Sequence, residues 1–175
     1  DLTDAVMLSG ETSVGKYPLK AAQTIRRIAG VTEEYLHHDE HARLTTTTKD
    51  ELVMTAAIAR SIDQIVDDIS AQLVAVWSQT GTTVRLLSKE RLNVPVLALS
   101  SDQRTCNQMS LLYGVIPRCQ PLPEDNNKFT QIVDNFIINR KWAQVGDKIV
   151  LLTGQPIGTA GATNAVIVHT VGDKK

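Results

Sequence analysis

The chain has little that would let it grip a polyanion or span a bilayer. Lys and Arg number 18 against 19 Asp and Glu, a formal net charge of −1, so there is no basic footprint for nucleic acid. No apolar run approaches the length a membrane-spanning helix needs. The only cysteines, Cys106 and Cys119, are too few for a disulfide framework and lack metal-ligand spacing, which fits a reducing, cytoplasmic setting. No Walker motif is present, and nothing resembles a Ser/His/Asp arrangement. The N-terminus has no initiator Met, no basic n-region and no cleavage-site pattern. It opens straight into a strand-like segment, Asp4–Leu8, as expected of a cut through a larger protein. What remains is an ordinary globular composition, 42% hydrophobic and 21% charged.

Periodicity supplies the elements. A helical pattern runs from Tyr17 to His38, with Pro18 suited to its first turn and Ala21, Ile25, Ile28, Ala29, Thr32 and Leu36 at helical spacing. Residues 41–48, which contain the run Thr45-Thr46-Thr47-Thr48, lack periodicity and read as a linker. The domain boundary therefore falls between 1–43 and 44–175. A second helix is predicted over Lys49–Ile69, with Asp50 and Glu51 near its positive end. Short apolar strands then alternate with helices. Strands are predicted at Leu73–Trp77, Val94–Leu99, Val115–Cys119, Lys148–Leu152 and Ala165–Val171. Helices are predicted at Thr82–Arg91, Gln103–Tyr113 and Phe129–Trp142. That alternation argues βαβ units around a mostly parallel five-stranded sheet in a three-layer α/β domain. The last two strands are joined by a Gly-rich loop with no room for a helix, so they should be antiparallel neighbours.

Ligands of such sheets bind beyond the carboxyl ends of the strands, where two loops stand out. Ser78-Gln79-Thr80-Gly81-Thr82-Thr83 places four hydroxyls around a glycine at a helix N-terminus. The free N–H groups and the dipole there suit a phosphate. The same residues could be an ordinary capped helix, and residue types alone leave both readings open. The second loop, Gly154–Asn164, carries Gly158 and Gly161 and reads as a connector, or as a flap over the first loop if the topology brings the two together. His37, His38 and His41 read as a solvated helix end. His169 reads as a satisfied structural histidine, Asp67 and Asp68 as a solvated face, and Trp77 and Trp142 as core or groove residues.

The stretch Asp4-Ala5-Val6-Met7-Leu8-Ser9-Gly10-Glu11-Thr12, followed by Gly15-Lys16-Tyr17-Pro18, resembles the pyruvate kinase segment that ends the eighth barrel strand. Leu112-Tyr113-Gly114-Val115-Ile116-Pro117 is similar to the third-strand entry of that family's C-terminal domain. Gly146–Gly154, with Gly161-Ala162-Thr163-Asn164 after it, extends the resemblance to the end of the chain.

The resemblance implies the final βα unit of a (β/α)8 barrel followed by the family's regulatory α/β domain. The parent would be a cytoplasmic glycolytic enzyme transferring a phosphoryl group from phosphoenolpyruvate to ADP with Mg2+ (or Mn2+) and K+. The ligands for those ions would lie on earlier barrel strands, outside this sequence, so the chain alone should be inactive. Ser9 and Glu11 would stand at the edge of the active site, at the end of the barrel strand, ordering water or delivering a proton. The resemblance further implies a homotetramer and a phosphorylated effector held by Ser78–Thr83, with no nucleic-acid or membrane partner. Relatives activated by fructose bisphosphate commonly place a Trp and an Arg between the third strand and the last helix. Here residues 120–130 have neither, and Lys128 is their only base, which puts a sugar monophosphate or AMP beside fructose bisphosphate. The rival readings are a stand-alone phospholigand-binding module and a purely structural oligomerisation domain.

Overall fold

The structure, a computed structural model, describes residues 3–37, 52–159 and 163–173. The chain divides into two compact units, Asp1–Thr45 and Thr46–Lys175. The expected linker at 41–48 lies outside the described residues, as do His38, His41, Lys49, Asp50 and Glu51.

In the first unit, one helical turn, α1 (Gly10–Ser13), precedes a long helix, α2 (Pro18–His37). Pro18 opens α2, where its missing N–H costs no helical bond. Asp4–Leu8 is not a strand here: it joins no ladder, and Val6 is 66% exposed. Alternation and β-branching favour an extended backbone, but a strand exists only where a neighbour takes its N–H and C=O groups. None of the described strands does so.

The second unit is built on one sheet of five strands, β1 (Val74–Trp77), β2 (Val96–Ser100), β3 (Val115–Cys119), β4 (Lys148–Gly154) and β5 (Thr163–Thr170). Their order is β3-β2-β1-β4-β5. The first four are parallel, and β5 runs antiparallel to β4. The helices are α3 (Val53–Ile69), α4 (Thr82–Lys89), α5 (Gln103–Met109) and α6 (Asn126–Asn139).

Side-chain alternation divides the core. Val74, Val76, Val96, Ala98, Val150 and Leu152 face α3, α4 and α5, while Ala75, Trp77, Leu97, Leu99, Ile149 and Leu151 face α6. Every residue of β1 and β2 is buried, which is why these strands read as unbroken apolar runs.

Element ends moved where local chemistry overruled periodicity. Strand β2 begins at Val96 rather than Val94, because Pro95 has no N–H for the ladder. Helix α5 stops at Met109 rather than Tyr113, giving way to a turn that leads to Gly114 at φ 67°. Helix α6 begins at Asn126, ahead of its apolar stripe, because Asp125 caps it by accepting from the Lys128 amide at 2.7 Å. His169 on β5 has both Asp134 carboxylate oxygens at 3.0 Å, and that carboxylate also accepts from Gly172 N–H at 3.0 Å. Asp67 and Asp68 are exposed on α3.

Candidate functional site

The sheet order positions the site. The chain leaves β1 toward β2 and β3, then returns to lay β4 on the other side of β1. The carboxyl ends of β1 and β4 are therefore parallel neighbours, with Val76 opposite Leu152. Between the loops that leave two such ends, the chain reverses direction across the sheet and a crevice opens.

That crevice is small and open to solvent, bordered by the 78–83 segment on one side and by Gly154, Gly158, Thr159 and Thr163 on the other. Thr55 and Leu52 close it from the α3 side. The two loops singled out in the sequence therefore meet, and a hydrogen bond of 2.6 Å between the Thr83 and Thr163 hydroxyls joins them. Gly161 lies outside the described residues.

Within the first loop the hydroxyls divide their work. Ser78, 6% exposed, accepts the Gly81 N–H at 3.1 Å and tightens the turn. Thr83 is equally buried and committed to Thr163. Thr80 and Thr82 pair with each other at 3.0 Å on the solvent side. Gln79 is held from behind: its side-chain oxygen accepts from Ser101 at 3.0 Å, and its carbonyl stands 3.3 Å from the Thr105 hydroxyl, which donates to the Asp102 carboxylate at 2.6 Å.

Gly81 takes φ +75° at the N-cap of α4, and a Cβ there would stand 3.4 Å from both Thr105 and Met109. No side chain caps the helix. The first-turn amides of α4, which no intrahelical carbonyl can satisfy, therefore open onto the crevice.

The second loop is shaped by its own constraints. Asn164 reaches back to Gln155, accepting its N–H at 2.7 Å and donating to its carbonyl at 3.2 Å. Gly158 sits at φ +88°, and a Cβ on it would come within 2.8 Å of Leu122.

Trp77 carries a signal that its sequence context hid. It is 3% exposed and packs edge-on against Phe129, with ring centroids 6.3 Å apart. It also lines the crevice, and its buried indole N–H meets no acceptor among the described residues. A buried donor without a partner costs about 1–3 kcal/mol. The position of Trp77 as last residue of β1, directly before the hydroxyl-rich loop, was the available clue. Thr163 was equally missed as a site residue, although it follows Gly161 closely.

Ser9 and Glu11 come together in the first unit. Ser9 is the N-cap residue of α1, and its backbone N–H donates to the Glu11 carboxylate at 3.1 Å. The backbone N–H of Glu11 itself, and then that of Ser9, hold the carboxyl below its usual range. Such a group stays ionised at neutral pH.

Similarity to known proteins agrees with the architecture. The family model for the pyruvate kinase alpha/beta domain matches residues 56–169. Pyruvate kinase of Geobacillus stearothermophilus is 30% identical over 174 residues, covering 99% of this chain and 29% of the relative. That of Lactococcus lactis is 30% identical, covering 98% of this chain and 34% of the relative. That of Thermococcus litoralis is 32% identical, covering 98% and 36%. The chain spans about a third of the length of the curated relatives it matches. With a mostly parallel five-stranded α/β sheet and a family match over most of its length, the chain belongs to the pyruvate kinase family and corresponds to the C-terminal portion of its members.

Proposed function

We propose that this chain is the regulatory and assembly part of an enzyme that transfers a phosphoryl group from phosphoenolpyruvate to ADP. In this reading the crevice at residues 78–83 takes one phosphate of a small phosphorylated effector. The observation that carries the effector site is the meeting of the hydroxyl-rich loop with the 154–163 loop around a crevice lined by Thr80, Thr82, Thr83 and Thr159 at the uncapped start of α4, with Trp77, whose buried indole N–H has no acceptor among the described residues, at its border. All of these are donors, and a phosphate is an acceptor with three oxygens to satisfy them.

Neither Lys nor Arg is among the described residues of the lining. This favours one phosphate held by neutral donors, as in a sugar monophosphate or AMP, over the two of fructose bisphosphate. Ser9 and Glu11 belong to the edge of the parent's active site, where an ionised Glu11 orders water. Residues 1–43 are read as the end of the catalytic barrel, and 44–175 as the domain that binds effector and holds a cytoplasmic homotetramer together.

The described residues contain no group of three or more His, Cys, Asp or Glu side chains that could hold a metal ion. No step through Mg2+, Mn2+ or K+ is therefore assigned to them. Phosphoryl transfer rests on positioning and on charge stabilisation by metal ions and cationic groups. The chain on its own is accordingly expected to show no turnover with phosphoenolpyruvate and ADP in a coupled assay. Turnover above background would overturn the division of labour proposed here.

The effector site is tested by Trp77→Phe, which keeps the ring and removes the donor. Ribose 5-phosphate, glucose 6-phosphate, AMP and fructose 1,6-bisphosphate are titrated calorimetrically against both proteins. A hydrogen bond to a charged acceptor is worth about 1.5–3 kcal/mol, so the compound that binds should lose affinity by about tenfold or more. Unchanged affinity would remove Trp77 from the site. For the native chain, a ligand at a hundred times its Kd should add about 2.7 kcal/mol of apparent stability. If none of the four compounds protects it against heat, the purely structural reading wins.

A further inference from the structure

The two cysteines, 13 positions apart in sequence, meet behind the candidate effector loop. Paired residues of a parallel ladder present their side chains to the same face. Ser100 pairs with Cys119, and Ala98 and Val96 of the same strand face the helix layer that contains α5. Cys119 is therefore turned toward α5, whose inner face carries Cys106. The Cys106 thiol donates to the Ser100 carbonyl at 3.7 Å, and that carbonyl also accepts from the backbone N–H of Gln120, next to Cys119, at 2.9 Å. Register and the shared Ser100 carbonyl thus bring the Cys119 side chain to the side of the Cys106 thiol. Both thiols are free; Cys106 is buried and Cys119, on the edge strand, is exposed.

We propose that Cys119 and Cys106 form a reversible disulfide when the protein meets a hydroperoxide, and that this bond loosens the 78–83 loop. Cys119 is the group a peroxide can reach. Its thiolate attacks one peroxide oxygen, the O–O bond breaks and hydroxide leaves, so Cys119 becomes a sulfenic acid. Cys106 then gives up its proton and attacks the Cys119 sulfur. The S–O bond breaks, water leaves, and the sulfur pair is oxidised by two electrons while the peroxide is reduced to water. The order of attack follows from burial, which together with the Cys119 hydrogen bond pushes the Cys106 thiol up to about 11. It is a poor first nucleophile but is placed to resolve the sulfenic acid.

The consequence runs through one residue. Thr105 precedes Cys106; its hydroxyl donates to the Asp102 carboxylate at 2.6 Å and stands 3.3 Å from the Gln79 carbonyl, and its methyl lies 3.4 Å from where a Gly81 Cβ would stand. Bond formation draws the two sulfurs inside contact distance and shifts α5 toward β3, away from Gln79. This claim concerns loop geometry and stands whether or not the crevice binds a phosphate.

The full chain is treated with hydrogen peroxide at low protein concentration, alkylated, digested without reductant and mapped by mass spectrometry. The expected product is one peptide pair linked through Cys106 and Cys119, separated again by dithiothreitol. In C106S, Cys119 should run on to sulfinic acid. Wild-type Cys119 found as sulfinic acid or in a disulfide between chains, with Cys106 still alkylatable, would overturn the pairing. Amide exchange across residues 78–83 reads the second half. With the contacts of Thr105 to Gln79 and Gly81 lost, oxidised protein should exchange there about fivefold faster than reduced protein. An intramolecular disulfide without that change would leave the redox chemistry standing and remove its link to the loop.

Discussion

Phe129→Ala should cost the second unit about 3–5 kcal/mol of stability. The Phe129 ring is fully buried at the start of α6, the one helix among the described residues that contributes to the core cluster under Leu97, Leu99, Ile149 and Leu151. Removing it opens a cavity between sheet and helix and ends the edge-on contact with Trp77. Such contacts add about 0.5–1.5 kcal/mol beyond area burial. The same change frees the indole that borders the crevice, so ligand affinity should fall along with stability. Both tryptophans, Trp77 and Trp142, lie in this unit, so their fluorescence follows its unfolding in urea without a contribution from the first unit. Leu111→Ala is the control: Leu111 is 66% exposed, and its loss should change stability by no more than about 0.5 kcal/mol. Equal effects of the two changes would mean that α6 does not carry that face of the core.

How much of this was legible in the sequence depended on whether a feature was local. Strands buried on both faces announce themselves as short apolar runs, so β1, β2, β3 and β4 were found within a few residues. The antiparallel β5 followed from a connection too short for a crossover helix. Asp4–Leu8 has the residue types of a strand, but the ladder that would make it one is not supplied by the described strands. The start of α6 is legible in principle: Asp125 is a good cap, but the apolar stripe begins only at Phe129, and periodicity marks the stripe rather than the cap.

The site divides along the same line. The hydroxyl-rich loop is contiguous and stood out. Its union with Gly158 and Thr163 depended on β4 lying beside β1, which no window of sequence reveals. Trp77 shows a further limit. A buried indole reads as core, and only the surroundings of its N–H disclose that one atom lacks an acceptor.

Thr82→Glu should abolish effector binding while leaving the fold intact, and the division of hydroxyls within the loop is the reason to choose this position. Thr83 is 5% exposed and bonded to Thr163, so a glutamate there would bury a carboxylate and confound lost binding with lost stability. Thr82 is half-buried at the first position of α4 and lines the crevice, with its hydroxyl bonded to that of Thr80. A glutamate at 82 can turn its carboxylate toward the first-turn amides, where negative charge is favourable by about 0.3–1 kcal/mol. The variant should therefore melt at or slightly above the native temperature. The same carboxylate occupies the donors a phosphate needs and repels its charge. Losing two charge-assisted bonds at about 1.5–3 kcal/mol each lowers affinity by at least about a hundredfold. Thr82→Ser, which retains the hydroxyl, should bind within a small factor of the native chain. Calorimetric titration of the four phosphorylated compounds against all three proteins makes the comparison. A Thr82→Glu protein that melts normally and still binds with native affinity would mean that the ligand lies elsewhere and that this turn only starts a helix.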